Sequence, residues 1–316
     1  MGTQHAAGVA SRHHRVQSRK EVGPLKKCII KERTKKAYDK ACLWFFGWVI
    51  AWGLRLPSET WGFDDLVCAG IECLWEEGEN RSVAGNLISG LQHATPPLSG
   101  CLKGSWRLWN AWGRAEIPMR APPLTWEMVK SLSYVLLMWD CRDCALLLLI
   151  GFLSFLRTSE FLSIRRQDLT FATDLRRMHI NLPSTKGVSR SGGIECVYIA
   201  DEVVVKAIFN FCSDLLPGDS ILHRTGAQFR KVFAAAVLEC GLDSGIRPYS
   251  LRRGGATYHF RRFGNMDKTM EIGRWQHQKT ARVYVNSALA ELAVLQLSAG
   301  TISRVEEWSA ALSVVL

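Results

Sequence analysis

No stretch of this 316-residue sequence approaches the ~20 consecutive apolar residues that a membrane span needs. Its longest apolar run, 145–156, is interrupted by Gly151 and Ser154. The chain starts polar and basic, without the hydrophobic segment of a secretory leader. Ala6 stands where a myristoylation signal opening at Gly2 requires Ser or Thr. No membrane partner is therefore expected, and the 10 cysteines read as reduced thiols of an intracellular protein. Markers of metal and nucleotide chemistry are equally sparse. Cys141-x-x-Cys144 has no second pair at zinc spacing and reads as structural thiols. No glycine-rich loop follows a strand, no Ser-His-Asp order emerges, and no persuasive acidic triad is present. Neither a cofactor nor a metal is expected. Tyrosine is also scarce, at 6.

What is present is enough apolar residue, 47%, to bury a real core, with 22% charged residues. The net charge of +11 is unevenly placed. Residues 1–36 hold ten of the 40 basic residues and only Glu21 and Glu32 of the 29 acids. That segment thus carries +8, and the remaining 30 bases and 27 acids leave +3 for the body. A polyanionic partner such as duplex DNA suits this balance. Any basic surface in the body must come from folding.

Segment 1–36 has no clear apolar periodicity and reads as a flexible basic arm, either solvated or used in nuclear import or DNA contact. From Ala37 the pattern turns helical: Tyr38, Ala41, Phe45, Trp48, Val49 and Trp52 form one stripe, ended at Pro57. Further helices fit 63–76, 83–93 and 98–113, giving an all-helical domain over 37–115. Trp106, Trp109 and Trp112 share a face and read as buried tryptophans of a small bundle. The proline-rich stretch 116–123 is a linker. A second domain over 124–316 starts with helices at 126–139 and 143–156. Short β-rich segments at 179–183 and 195–199 then flank a Ser/Gly/Lys/Arg stretch as a hairpin would. Helical patterning resumes from Glu202 to Leu316. The fold class is mainly α with one small β-sheet, in two domains.

Four local sequences of this second half resemble the tyrosine recombinase (phage integrase) family. Leu148-Leu-Ile-Gly-Phe-Leu-Ser-Phe-Leu-Arg157-Thr-Ser-Glu160 is similar to the family's first-arginine motif, and Asp168 further on matches the acidic residue before its next strand. Pro183-Ser-Thr-Lys186-Gly resembles the hairpin lysine. Pro248-Tyr249-Ser-Leu-Arg252-Arg-Gly-Gly-Ala-Thr257 resembles the His-x-x-Arg box, with tyrosine in the histidine place. Ile272-Gly-Arg-Trp275 followed by Tyr284 matches the His/Trp position and the nucleophile. The Arg-Gly-Gly-Ala-Thr and Gly-Arg-Trp wording is similar to eukaryotic mobile-element, retrotransposon-type recombinases.

The resemblance implies a helical core-binding domain and a mixed catalytic domain that clamp double-stranded DNA. It also implies site-specific cleavage and rejoining through a 3′-phosphotyrosyl intermediate without a metal, for mobile-element integration. A homo-tetramer on two DNA sites is implied, located in the nucleus of a eukaryotic host or otherwise in the cytoplasm or nucleoid. Its site residues are Arg157, Lys186, Tyr249, Arg252, Trp275 and Tyr284.

Elementary chemistry asks for the same groups. Attack on a phosphodiester by a side-chain hydroxyl needs a nucleophile, positive charge where phosphorane charge develops, and a proton donor for the leaving oxygen. Arginines supply permanent forked charge, and a lysine can protonate the departing 5′-oxygen. Of Tyr38, Tyr134, Tyr198, Tyr249, Tyr258 and Tyr284, only Tyr284 follows every charge-bearing motif. Register with Leu251 selects Arg252 over Arg253, and His277 is assigned to the surface. Taken singly, each residue has a plainer reading. Arg157 could be a helix-end charge, Lys186 a solvated lysine, Arg252 a structural partner and Tyr284 a half-buried aromatic.

Two other functions fit the pattern: a DNA-binding derivative that has lost cleavage, and a type IB topoisomerase. The tail 305–316 has Trp308, Leu312 and Val315 on one stripe. It either packs on its own domain or, as the resemblance implies, passes to a neighbouring copy.

Overall fold

Where the sequence carries apolar stripes the chain is helical. The computed structural model describes residues 12–117, 121–182 and 195–316, and divides into two compact units, Met1–Met119 and Arg120–Leu316. The division falls inside the proline-rich stretch.

The first unit contains α1 (Arg12–Val22), α2 (Glu32–Ala51), α3 (Thr60–Glu76), α4 (Arg81–Ala94) and α5 (Lys103–Ala115). Helix α1 lies within the segment read as a flexible basic arm. It lacks an apolar stripe, so periodicity gave no signal, but Arg, Gln and Lys are good helix formers and Arg19 and Lys20 suit its negative end. Helix α2 likewise begins before Ala37. Ala41, Phe45 and Val49 bury its inner face, whereas Trp52, beyond the last turn, is 71% exposed. Helix α5 starts at Lys103 rather than Leu98, since Pro96–Leu98 forms a separate 3-10 turn. Asp64 on α3 accepts from the amides of Gly104 (2.7 Å) and Ser105 (3.0 Å), satisfying two donors that a helix start leaves open.

The tryptophans of α5 belong to this packing. Trp112 is 5% exposed and meets Trp75 edge-on. Trp109 lies under the Arg81 guanidinium at 3.5 Å and donates to the Arg81 carbonyl.

The second unit is built around α7 (Arg142–Leu153), in which Cys144 to Ile150 are at most 1% exposed. A helix apolar on all sides must be surrounded, and α6 (Trp126–Met138) is one of its neighbours. Cys141 and Cys144 are buried thiols. Burial, helped by Asp143, pushes the Cys144 thiol up to about 12. After α7 come the short α8 (Thr158–Phe161) and an antiparallel sheet in the order β1 (Leu169–Phe171), β2 (Met178–Leu182), β3 (Glu195–Ile199). Met178, Ile180 and Leu182 face the core while His179 and Asn181 face out, as strand alternation requires.

Helices α9 (Glu202–Phe211), α10 (Gly226–Glu239), α11 (Tyr249–Phe263), α12 (Met266–Gly273), α13 (Gln278–Arg282), α14 (Ser287–Leu295) and α15 (Ala299–Val315) complete the unit. Within this chain the tail packs on its own domain. Helix α15 lies along α6, burying Val305 and Leu312, and Ser131 donates to the Val305 carbonyl at 3.1 Å. Trp308 meets Tyr134 with ring centroids 6.3 Å apart.

Candidate active site

Helix α11 organises the site. Tyr249 opens it, Arg252 lies one turn on, and two glycines follow. A Cβ on Gly254 would lie 2.1 Å from the Leu124 carbonyl oxygen, and one on Gly255 would lie 2.0 Å from that of Phe152. Only glycine lets this helix seat against both segments. The close approach brings Arg252 under the end of α7. There the chain reverses at Phe155, whose φ of +48° is rare for a bulky residue. The Phe155 carbonyl accepts from Arg252 Nη1, and the Gly273 carbonyl accepts from Nη2 at 2.7 Å.

Arg252 is fully buried, and its Nε has no hydrogen-bond partner among the described residues. Burial, with the charges of Arg157 and Arg274, pushes its pKa down to about 10, so it stays cationic at neutral pH. Its guanidinium carbon lies 4.8 Å from the Trp275 ring centre and 5.2 Å from that of Tyr284. Those two rings stack with centroids 4.6 Å apart. Trp275 is 7% exposed and backed by Phe155, and a Cβ on Gly273 would collide with its ring. On the outer side, the Tyr249 hydroxyl donates to the Tyr284 hydroxyl at 2.7 Å. Burial, reinforced by the Tyr284 hydroxyl, pushes the Tyr249 phenol up to about 12.

Arg157 stands directly before α8. Its amide donates to Glu160 at 2.8 Å and its Nη1 to the same carboxylate at 2.5 Å. Glu160 also holds Arg274 at 2.6 Å, and Arg274 reaches Glu195 on β3 at 3.0 Å. Burial alone would raise the Glu160 carboxyl. The charge and hydrogen bonds of Arg274, and then the bonds from Arg157, hold it below the usual range instead. Arg253 is also buried, and its Nη1 donates to the Ala121 carbonyl. His277 is exposed at the start of α13.

The structure therefore brings Tyr249, Arg252, Trp275 and Tyr284 into one cluster, with Arg157 close enough to perturb Arg252. Lys186 lies outside the described residues. The strand positions flanking its segment, Leu182 and Glu195, are paired, and Glu195 touches Arg274.

Sequence reasoning assigned no role to Glu160, Arg274 or Thr257, although all three lie inside the motifs. Arg274 sits at φ +55°, a backbone state nothing in its residue type announces. The buried guanidinium of Arg252 places positive charge against the ring of Tyr284, where it can act on a developing oxyanion, and its Nε has no hydrogen-bond partner among the described residues.

Solved structures share this architecture. The Tn1549 transposon integrase, in complex with transposon right end DNA, matches 89% of this chain and 98% of its own, at 14% identity and a TM-score of 0.58. The lambda integrase dimer bound to a core site matches 87% of this chain and 95% of its own, at 15% identity and 0.56. The XerH site-specific recombinase bound to difH substrate matches 73% and 70%, at 13% identity and 0.50. No protein-family model and no curated protein sequence matches the chain. The chain has the mostly helical fold of the tyrosine recombinases and integrases, small antiparallel sheet included. At these identities the likeness is one of fold.

Proposed function

We propose that this protein belongs to the tyrosine recombinases by function as well as fold, and that it cleaves and rejoins double-stranded DNA. Tyr284 Oη releases its proton to solvent and attacks the scissile phosphorus, a 3′-phosphotyrosyl bond forms, the bond to the 5′-oxygen breaks, and Lys186 protonates that oxygen. Attack by an incoming 5′-hydroxyl reverses the step and releases Tyr284. The supporting observation is the convergence of Tyr249, Arg252 and Trp275 on Tyr284, with Tyr249 at its hydroxyl and the arginine charge at its ring. Arg157 and Arg252 supply the charge that the phosphorane develops against, and Tyr249 and Trp275 supply neutral donors. Integration of a mobile element, four copies on two duplexes, and a nuclear site of action in a eukaryotic host complete this reading.

The test is a nicked duplex that traps the adduct, incubated with purified protein in excess chelator. Wild type forms a covalent protein–DNA species and Tyr284→Phe forms none. Lys186→Ala slows cleavage of ordinary DNA but recovers when the leaving oxygen is replaced by sulfur, which needs no proton. An adduct from Tyr284→Phe would overturn the assignment. Complete burial of Arg252 favours a second reading, a DNA-binding derivative without cleavage; it predicts DNA binding and no adduct. Relaxation of supercoiled DNA lacking any target site would instead mark a topoisomerase.

A further inference from the structure

The main chain at Tyr284 has little regular structure of its own. It lies just past α13 and before α14, with its amide bonded to the Ala281 carbonyl at 2.9 Å. Its carbonyl has a distant partner. Thr257 Oγ1, on α11, donates to it at 3.2 Å and accepts from the amide of Asn286 at 3.1 Å. A hydroxyl has one proton to give, and here it goes to the tyrosine's own carbonyl. Thr257 is 2% exposed, so water is not a ready substitute. The Asn286 side chain is engaged separately, capping α14 through the Leu289 amide at 2.9 Å.

Helix α11 thus touches Tyr284 at three points. Tyr249 meets the phenol oxygen, Arg252 the ring face, and Thr257 the main chain. The first two contacts bear on the ring; the third sets where the backbone carrying it lies.

Resting on the reading of Tyr284 as nucleophile, we propose that Thr257 is a positioning residue that fixes the backbone of that nucleophile relative to Arg252. In-line attack tolerates little displacement, and a shift of about 1 Å in a reacting group can cost on the order of 10²-fold in rate. Thr257→Val keeps the shape of the side chain and removes both hydrogen bonds. Thr257→Ser keeps the hydroxyl.

Single-turnover adduct formation on the nicked duplex, with DNA affinity measured in parallel, separates positioning from folding. Thr257→Val lowers the rate constant by on the order of 10²-fold, while the amplitude and the affinity hold and Thr257→Ser recovers most of the rate. A reduced amplitude at an unchanged rate constant means partial unfolding and overturns the proposal. Amide hydrogen exchange at Asn286 in the DNA-free full chain reads the clasp without any activity. Exchange accelerates in Thr257→Val and stays slow in Thr257→Ser; equal protection in Thr257→Val overturns the clasp. Wild-type protein that forms no adduct overturns the nucleophile reading, and with it the positioning role, while the exchange result still reports separately on the clasp.

Discussion

The hydroxyl of Tyr249 donates to the hydroxyl of Tyr284 across 2.7 Å, so the residue in the histidine place reaches the proposed nucleophile directly. With its pKa pushed up to about 12, Tyr249 keeps its proton at neutral pH and acts as a donor, not a base. Tyr249→Phe is expected to slow adduct formation by on the order of 10²-fold, as for one lost transition-state donor, and Tyr249→His to be tolerated. Because the folded-state value lies above the ordinary 10.0, the associated stability is present below pH 10 and is lost as pH rises through about 12. Thermal melts across that window should fall less steeply for Tyr249→Phe than for wild type.

Arg252 has a structural task as well as a chemical one. Removing it strips the carbonyls of Phe155 and Gly273 of their donors, at about 1–3 kcal/mol each for a buried unpaired group. Arg252→Ala should therefore melt well below wild type and form no detectable adduct. Arg157→Ala, which removes a half-buried side chain, should lose the adduct with a smaller change in melting temperature.

The seat of α11 can be tested without touching a charged group. Gly255→Ala places a methyl 2.0 Å from the Phe152 carbonyl oxygen and 2.8 Å from the Phe155 ring, so the helix must move. Overpacking of this kind costs about 1–3 kcal/mol or more. Chemical denaturation should show that loss, and cleavage should fall with it because Arg252 and Tyr249 travel with the helix.

Glu160 links Arg157 and Arg274, and its carboxyl is held below the usual 4.5. The stability it contributes is present above about pH 4.5 and is lost as pH falls through its lower folded-state value. Glu160→Gln should be less stable at pH 7, by on the order of 3 kcal/mol for a broken buried pair. It should also lose the corresponding segment of the acid-unfolding curve. An acid limb identical to that of wild type would remove Glu160 from this role.

Deleting residues 305–316 bears on the tail. Helix α15 buries Val305 and Leu312 against its own domain, so the truncation should lower the melting temperature and weaken DNA binding by single copies. A truncated protein that melts like wild type would mean that α15 contributes nothing to its own domain.

The order of the arginine, lysine, arginine-box and tyrosine motifs was legible because each is a short run of specific residues, and chain order survives folding unchanged. The helices around α7 and the strands at β2 and β3 were legible for a related reason: apolar spacing of 3.6 or 2 is written directly in the residues. Helix α1 was not, since a solvated helix held by propensity leaves no stripe to read.

Tertiary contacts settled the remainder. Register with Leu251 selects Arg252 over Arg253, but what each arginine meets is decided by the glycine seat of α11, which places one guanidinium beside Trp275 and the other at the Ala121 carbonyl. Likewise Arg274 and Thr257 look ordinary in the motifs, and their partners Glu160, Glu195 and Tyr284 are distant in the chain. Whether a buried charge or hydroxyl is satisfied depends on which remote carbonyl or carboxylate folding brings within about 3 Å. Local residue patterns carry no record of that distance.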